Sequence, residues 1–449
     1  MLLAACAAPP LSELPTRADP LPDTLPPMNA FGARTPSSMA GRANADIARD
    51  FLELAFEMES GRELDRLTRF EGRITVALAA PGPKQFEADL AALLARFRAE
   101  AGLDIVQATT GAPANIVIVT LPRRKLQATV PHAACFVVPR VTSWDDFRQN
   151  RRSGALDWST LERRDRATVF IPDDVSPQEA RDCLHEEIAQ ALGPLNDLYR
   201  LADSVYNDDN INTVLTGFDM LILRVFYDNA LDNGMSRAAV AERLPGILAR
   251  LNPGGEAVAR DGITTTPRAW IDAIEAALGP RVAQARRLTS ARRAVAIARS
   301  EEWVDNRLGF SLYAQGRLAL GVDGDLSADS FRRAYALYSE LFGTDDIHTA
   351  HVALQLAAFA LSAGEPDLSL RYVNESLPSV SRAENAALLA TFLMIKAEAL
   401  DQSGRHSEAA TVRLDSLGWA RYGFASDDEI RARLREIAAL RSAIRQTEA

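Results

Sequence analysis

The sequence predicts an α+β domain with a mixed sheet, followed by an all-α region of stacked helix pairs. Three observations carry this prediction. Five short segments rich in Val, Ile or Phe lie between residues 73 and 171 and have the length and composition of strands. Apolar stripes of helical period precede, interrupt and follow these segments. From about residue 286 onward the pattern is helical throughout and repeats every 40 residues.

Length and composition bound the class of protein. A chain of 449 residues is long enough for two or three domains, because single cores rarely grow beyond roughly 250–300 residues. The net charge of −10 argues against a nucleic-acid partner, which would favour a basic surface. No run of 18 apolar residues is present, so the sequence predicts no membrane-spanning helix.

The N-terminus predicts a lipid anchor. Leu3-Ala4-Ala5-Cys6 resembles a bacterial lipobox, in which the cysteine is lipidated and becomes the first residue of the mature protein. Residues 1–5 would then be the remnant of a signal peptide, and residues 6–44, with eight prolines between residues 7 and 40, a semi-extended tether. This interpretation places the protein in the bacterial cell envelope, facing the periplasm from the outer membrane. The alternative is a chance match in an ordinary N-terminus.

Residues 45–245 form the predicted α+β domain. Apolar positions from Ile47 to Met58 predict an opening helix, and those from Phe86 to Phe97 predict a second one. The predicted strands are Arg73–Leu78, Asp104–Ala108, Asn115–Leu121, Cys135–Val138 and Ala167–Ile171. A long variable segment, residues 140–165, precedes the last of them. The resulting order is β-α-β-β-β-β-α, which predicts a mixed sheet with helices packed on it.

The helix predicted after the last strand lies within residues 176–197. We call it the organising helix, because the other predicted site residues are assigned relative to it. Ser176 can cap it, Pro177 suits its first turn, and Glu179 completes a capping box. Gly193 and Pro194 end it. The sequence therefore predicts a helix of about four turns.

This helix resembles the active-site helix of zinc peptidases of the metzincin type. Their pattern, H-E-x-x-H-x-x-G-x-x-H/D, keeps its glycine at Gly193 only if Glu186, Gln190 and Asn196 occupy the ligand positions. Glu187 then stands where the family carries its general base. The same residues fit H-E-E-x-x-Q-x-L-G, the motif of an uncharacterised family of proteobacterial lipoproteins, which this chain resembles over roughly residues 65–245.

Two further segments extend the zincin resemblance. Residues 204–206, Ser-Val-Tyr, are similar to a Met-turn that lacks its methionine, and residues 215–227 are similar to the closing helix of matrixin-type members. The resemblance implies that four polar residues support the cleft: His185, Asp197, Tyr206 and Asp219.

The metal chemistry of this family is not expected here. Zinc prefers Cys, His and carboxylate ligands, whereas Glu186, Gln190 and Asn196 form an oxygen set better suited to calcium or magnesium. We therefore expect no cofactor, with zinc or calcium left open. Glu187 remains the candidate general base, and the alternative is that these side chains form a structural polar cluster. The loop at residues 206–210 is also dense in oxygen donors, which keeps a calcium site open there.

Cysteine usage fits an oxidising compartment. If Cys6 carries lipid, Cys135 and Cys183 remain as an even pair. They are candidates for a disulfide between the end of a strand and the organising helix. Two buried free thiols are the alternative.

The C-terminal half predicts a helical solenoid. Residues 246–285 are expected to be a helical connector, and residues 286–449 a stack of helix pairs. Gly324, Gly364 and Gly404 recur at a spacing of 40 residues, and each lies between two Ala- and Leu-rich helices. The region resembles the longer tetratricopeptide repeats, which implies a concave groove for a protein or peptide. The alternative is a structural appendage or a dimer contact.

Together these features favour an envelope-anchored lipoprotein with a degenerate metalloprotease-like domain and a repeat region that binds a protein or peptide. The second hypothesis is a metal-dependent or Glu-based peptidase or amidase that acts on envelope peptides, with Glu187 as its base.

Overall fold

The computed structural model describes residues 25–32, 41–131, 133–279 and 282–440. Within them, an N-terminal α/β region with a five-stranded mixed sheet is followed by a long all-helical region, as the sequence predicts. Cys6 and the predicted signal remnant, residues 1–5, lie outside the described residues.

The sheet has one antiparallel strand, which lies at its edge. Its strands are β1 (Ile74–Leu78), β2 (Ile105–Gln107), β3 (Ile116–Leu121), β4 (Phe136–Pro139) and β5 (Ala167–Pro172). They are arranged in the order β2-β1-β3-β5-β4, and only β4 runs antiparallel to its neighbour. All six residues of β5 are buried, as expected for a central strand covered on both faces.

Helices cover both faces of the sheet. They are α1 (Asn44–Phe56), α2 (Lys84–Glu100), α3 (Arg123–Gln127), α4 (Trp144–Asn150), α5 (Pro177–Leu192), α6 (Gly217–Phe226) and α7 (Arg237–Leu251). Successive side chains of β5 point to opposite faces of the sheet. Val169 and Ile171 face the main hydrophobic core, together with α1, α2 and α5. Phe170, between them, packs on the opposite face against Trp144 and Phe147. The variable segment before β5 therefore supplies α4, which covers this second face.

The α/β region extends to the end of α7. Ser236 caps this helix, and Val240, Leu244 and Leu248 belong to the same core as α1. The segment expected as a connector, residues 246–285, is thus shared between the two regions. Its first residues complete α7, and its later part contributes a helix, Arg268–Leu278, to the helical region.

The helical region consists of antiparallel hairpins. Its helices are α8 (Arg268–Leu278), α9 (Gln284–Ser300), α10 (Asn306–Ala319), α11 (Gly324–Phe342), α12 (Ile347–Ser362), α13 (Pro366–Arg382), α14 (Ala386–Gln402), α15 (His406–Gly423) and α16 (Asp427–Leu440). Gly364 and Gly404, both with φ of 77°, make the turns into α13 and α15. Gly324 instead begins α11, and Gly321 takes the left-handed turn there.

The two regions share an extensive interface. Tyr199 packs edge-to-face against Trp270 with ring centroids 5.1 Å apart, and its carbonyl accepts a hydrogen bond of 2.7 Å from Asn306 Nδ2. Gln178, in the first turn of α5, exchanges hydrogen bonds with Asn385 Oδ1 and the backbone N–H of Ala387. The helical region therefore packs directly against α5 and the loop that follows it.

Part of the predicted tether is docked on the helical region. Residues 25–32 run along α15, where the Asn29 N–H donates to the Gly418 carbonyl at 3.0 Å. Phe31 packs on Trp419 with ring centroids 4.6 Å apart, and Arg421 donates to the Pro26 carbonyl. We call residues 25–32 the N-terminal strap. Across the described part of the chain, no helix is both long and apolar enough to cross a bilayer.

Candidate functional site

The organising helix, α5, begins as the sequence predicts. Ser176 Oγ accepts from the Glu179 N–H at 3.1 Å, and Pro177 occupies the first helical position. The second half of the predicted capping box differs, because the Glu179 carboxylate pairs with Arg123 on α3.

A buried arginine holds the end of α5. Arg164 Nη1 donates to the carbonyls of Gln190 and Ala191 at 2.6 and 2.8 Å, and Nη2 donates to the Gly193 carbonyl at 2.5 Å. These are carbonyls that a helix end leaves without partners inside the helix. Burial lowers the pKa of Arg164 to about 10, so the guanidinium stays charged at neutral pH.

Gly193 is required by close packing. Its φ of −170° is extended backbone that other residues adopt, but a Cβ atom there would lie 2.8 Å from the Phe226 ring. Next to it, the Tyr227 hydroxyl donates to the Leu192 carbonyl at 2.8 Å. The helix that ends at Phe226, α6, thus sets the path of the turn after α5.

Cys135 and Cys183 form a disulfide, with Cα atoms 6.0 Å apart. Cys135 immediately precedes the edge strand β4, and Cys183 lies in the middle of α5. The bond fixes the antiparallel edge of the sheet to the organising helix.

The third predicted ligand position is committed to backbone contacts. Asn196 Nδ2 donates to the Glu53 carbonyl at 3.2 Å, and its Oδ1 accepts from the Asp197 N–H at 3.1 Å. Gln190 is also buried. Within residues 25–32, 41–131, 133–279 and 282–440, no group of three His, Cys, Asp or Glu side chains is arranged to hold a metal ion.

His185 and Asp219, which we expected to support the cleft, support the fold around α5. The Leu215 N–H donates to His185 Nδ1 at 3.2 Å. Asp219 completes a capping box with Thr216 at the start of α6 and accepts a hydrogen bond of 2.5 Å from Ser204 Oγ. Burial, the largest influence, raises the pKa of Asp219 to about 6.

Carboxylates gather on the outer side of the second half of α5. Glu186 and Glu187 are joined there by Asp197, by Asp208 and by Glu59, which follows α1. After burial, the charges of Glu59 and Asp208 are among the causes that raise the pKa values of Glu186 and Asp197. We call these five residues the acidic cleft. Glu59 and Asp208 are exposed at its rim, whereas Glu187 is only 4% exposed. The solvent exposure of the carboxylates therefore decreases from the rim of the cleft to its inner wall.

Burial and mutual repulsion raise the pKa values of three carboxylates of this cleft: Glu186, Glu187 and Asp197. Burial, followed by the charges of Asp208, Glu59 and Asp182, raises the pKa of Glu186 to about 8. Burial, then Glu186 and Glu59, raises the pKa of Glu187 well above its usual range. Burial, and then Glu59, acts in the same direction on Asp197.

Several buried oxygens of the cleft accept no hydrogen bond. Glu187 Oε2 and both carboxylate oxygens of Asp197 are inaccessible to solvent and have no donor among the described residues. The Tyr206 hydroxyl is likewise buried without a partner in that part of the chain. Unpaired buried polar atoms are costly, so they mark sites that need an explanation beyond packing.

The sequence led to part of this cleft only. Glu186, Glu187 and Asp197 come from the zincin resemblance, and Asp208 lies in the loop noted for its oxygen donors. Glu59 was missed, because the segment after α1 has no motif and only the fold brings it to Asp197.

The cleft predicts an unusual pH dependence of stability. A carboxyl group whose pKa is higher in the folded state than in the unfolded state makes folding less favourable as pH rises above the unfolded pKa. Glu187→Gln should therefore leave stability at pH 4 nearly unchanged and raise it at pH 8 by at least about 1.4 kcal/mol, the equivalent of one pKa unit. Urea denaturation at both pH values measures this.

Glu340→Gln provides the control, because Glu340 is exposed on α11. This variant should follow the parent protein at both pH values. If Glu187→Gln also follows it, the buried carboxyl group carries no such penalty.

Comparison with known proteins finds a similarity within the α/β region. A family model described as "Protein of unknown function (DUF2927)" matches residues 44–246, from the first residue of α1 into α7. The matched segment contains the whole sheet, α5 and the acidic cleft, and it ends before the helical region. No curated protein and no solved structure matches the chain significantly. The α/β region is thus similar to a domain family of uncharacterised function.

Proposed function

We propose that the protein is an envelope-anchored lipoprotein with a binding or scaffolding role. Its α/β region would be a zincin-like domain without zinc chemistry, and its helical region would bind a protein or peptide. The observation that carries this proposal is the state of Asn196, whose amide group is used in holding the turn after α5 to α1. A metal ion at that position would compete for Asn196 Oδ1 with the Asp197 N–H that already donates to it.

The order of elements supports the zincin-like interpretation. The chain has β1, α2, β2, β3, β4, β5 and α5 in the predicted sequence, with short helices only in the connections. The glycine turn after α5 and the capped α6 also lie where the resemblance places them. The zinc-binding side chains of that family are the part that is replaced.

The hairpins of the helical region support a tetratricopeptide-like repeat. Their turns recur at about 40 residues, and each helix pair packs on the next, as in a solenoid. Solenoids of this kind offer a concave surface for an extended partner, which is the basis for proposing a protein or peptide ligand.

An oxidising, extracytoplasmic location is supported by the disulfide. Lipid attachment is tested by mass spectrometry of the protein from its native membrane. A diacylglycerol-modified Cys6 at the mature N-terminus is the expected result. An unmodified Cys6 within a longer chain would refute the anchor.

Metal analysis tests the loss of zinc chemistry. We expect the purified protein to retain less than one zinc ion per chain after dialysis against a zinc solution, because Asn196 and Gln190 do not complete a ligand set. Glu186→Ala should leave the amount of bound zinc unchanged. Elemental analysis by mass spectrometry measures both. Stoichiometric zinc that is lost in Glu186→Ala would instead establish a metal centre.

A second candidate function, a carboxylate-based peptidase or amidase, is favoured by one observation. Glu187 is buried beside Glu186 with an oxygen that accepts no hydrogen bond. The raised pKa of Glu187 would favour its protonated, proton-donating form over a wider pH range than in an ordinary glutamate, and its action as a base would increase with pH. Cleavage of envelope-derived peptides that rises with pH and disappears in Glu187→Gln would support this function; no cleavage by the parent protein would reject it.

A further inference from the structure

The helix α9 carries only positive charge, in a chain whose net charge is −10. It contains no acidic residue and five arginines: Arg286, Arg287, Arg292, Arg293 and Arg299. All of them except Arg287 are exposed. Among the described residues, only Arg292 has a carboxylate within ion-pair distance, that of Asp323 at 3.7 Å. Most of the charge on α9 is therefore not neutralised by the protein itself.

Helical periodicity places the exposed arginines on the side of α9 that faces away from the stack. Arg286 and Arg293 are about two turns apart and so lie along one line of the helix, and the same holds for Arg292 and Arg299. The opposite side of the helix carries its buried residues: Leu288, Ala291, Ala294, Val295 and Ala298. We call the side formed by the four exposed arginines the basic face.

An exposed apolar patch lies at the end of the stack where α9 begins. Gln284 Nε2, in the first turn of α9, donates to the carbonyls of Leu318 and Leu320 at 3.3 and 3.4 Å, so the start of α9 adjoins the end of α10. Four large apolar side chains, between 40% and 64% exposed, lie at this junction: Leu278, Val282, Leu320 and Val322. We call them the apolar tip.

The clustering of the apolar tip is unusual for this surface. Eight large apolar side chains are exposed among the residues that the structure describes, and half of them belong to the tip. Single exposed apolar residues need no explanation, but a contiguous patch rimmed by charged residues marks an interaction surface. The tip and the basic face adjoin each other, which makes them one surface with two chemical components.

The two ends of these helices differ in charge. At the opposite end, the residues between α9 and α10 and those between α11 and α12 include five acidic ones: Glu301, Glu302, Asp305, Asp345 and Asp346. The elements that meet at the tip contribute fewer unpaired carboxylates, because Glu275 pairs with Arg268 at 3.0 Å and Asp323 caps α11. A negatively charged surface would therefore attract the tip and repel the other end.

A lipid surface fits this combination better than an acidic protein does. Apolar side chains at the end of two helix pairs can enter the boundary between head groups and acyl chains. Arginines beside them match the geometry of phosphate groups, which they bind bidentately. An acidic protein segment would account for the basic face but would leave the apolar tip without a role.

We propose that the apolar tip and the basic face of α9 dock on an anionic lipid bilayer. The tip enters the head-group region, and the exposed arginines bind lipid phosphates. This inference goes beyond the proposed function, because it requires neither a lipid on Cys6 nor a peptide on the helical region. Docking of this kind fixes the orientation of the helical region, with the acidic end of its first hairpins away from the bilayer.

Vesicle sedimentation tests this with the full chain carrying Cys6→Ser, to which no acyl chain can be attached. The vesicles contain phosphatidylcholine alone, or phosphatidylcholine with about 30% phosphatidylglycerol, at about 0.1 M salt. We expect binding to the anionic vesicles only, and weaker binding as the salt concentration rises. Arg286→Gln/Arg293→Gln should lower the partition coefficient about tenfold or more, because each arginine near the lipid surface adds to the attraction.

Matched variants test the two components of the surface separately. Arg151→Gln/Arg152→Gln removes two exposed arginines of the α/β region and should stay within about twofold of the parent, since distant charges are screened. Val322→Ser should weaken binding about threefold or more, because it removes apolar surface from the tip. Val304→Ser, at the acidic end, changes an even more exposed valine and should leave binding unchanged.

Five results would overturn the proposal. They are no sedimentation with anionic vesicles, equal sedimentation with both kinds of vesicle, equal weakening by the two arginine double variants, equal effects of Val322→Ser and Val304→Ser, and binding to soluble polyglutamate without binding to vesicles. The last of these would assign the basic face to an acidic protein. All substituted residues are exposed, so circular dichroism should show the same fold in every variant.

Discussion

Replacing both Cys135 and Cys183 with alanine is expected to lower the free energy of unfolding by about 4 kcal/mol. The disulfide joins residues 48 positions apart, and in the chain-entropy treatment closing a loop of this length restricts the unfolded chain by about that amount. Urea denaturation of the oxidised protein and of the double variant measures the difference. An effect below about 1 kcal/mol would mean that β4 and α5 are held together without the bond.

Reduction of the parent protein provides the control for this substitution. Treatment with a reducing agent should shift the parent to the midpoint of the double variant and leave the variant unchanged. A reduced parent that is clearly more stable than the variant would show that the loss comes from packing at Cys183, which is buried, and not from the cross-link.

Replacing Arg164 with methionine is expected to cost about 3–5 kcal/mol. The side chain is of similar length, but the carbonyls at the end of α5 lose their charged donor in a buried site, and each unpaired buried acceptor costs about 1–3 kcal/mol. Arg164 also lies over the Trp158 ring at 4.8 Å, a contact that the substitution changes as well. Chemical denaturation followed by circular dichroism measures the loss.

The neighbouring arginine is a suitable control. Arg163 is exposed and pairs with Asp165 at 2.9 Å, so Arg163→Met should change stability by less than about 0.5 kcal/mol. Equal effects of the two substitutions would contradict a specific role for Arg164 at the helix end.

The strands and α5 could be predicted because their signals are local. Each of the five strands starts and ends within one residue of its predicted bounds, since short buried segments rich in β-branched residues are bounded by turn residues. Ser176, Pro177 and Gly193 mark the limits of α5 in the same local way. The role of α7 was missed, although Val240, Leu244 and Leu248 form a helical stripe, because the Gly and Pro residues around it suggested a connector.

The site could be predicted only where it follows the resemblance. Glu186 and Glu187 were singled out by their positions in the motif, which is a local feature of the sequence of α5. Three features of the site depend on contacts between segments that are distant in the sequence. They are the hydrogen bonds of Asn196, the contacts of Arg164 with the end of α5, and the position of Glu59 near the cleft. No local pattern encodes such contacts, so the sequence alone could not give them.

The N-terminal strap has a consequence for the order of folding. Asn29 binds Gly418, a glycine at which a Cβ atom would lie 2.7 Å from the Asn29 side chain. During synthesis the strap leaves the ribosome long before α15, because Asn29 and its partner Asp415 on α15 are 386 residues apart. The strap must therefore stay unbound until α15 has been made, and contacts between such distant residues form slowly. Docking of the strap thus waits for synthesis of the helical region.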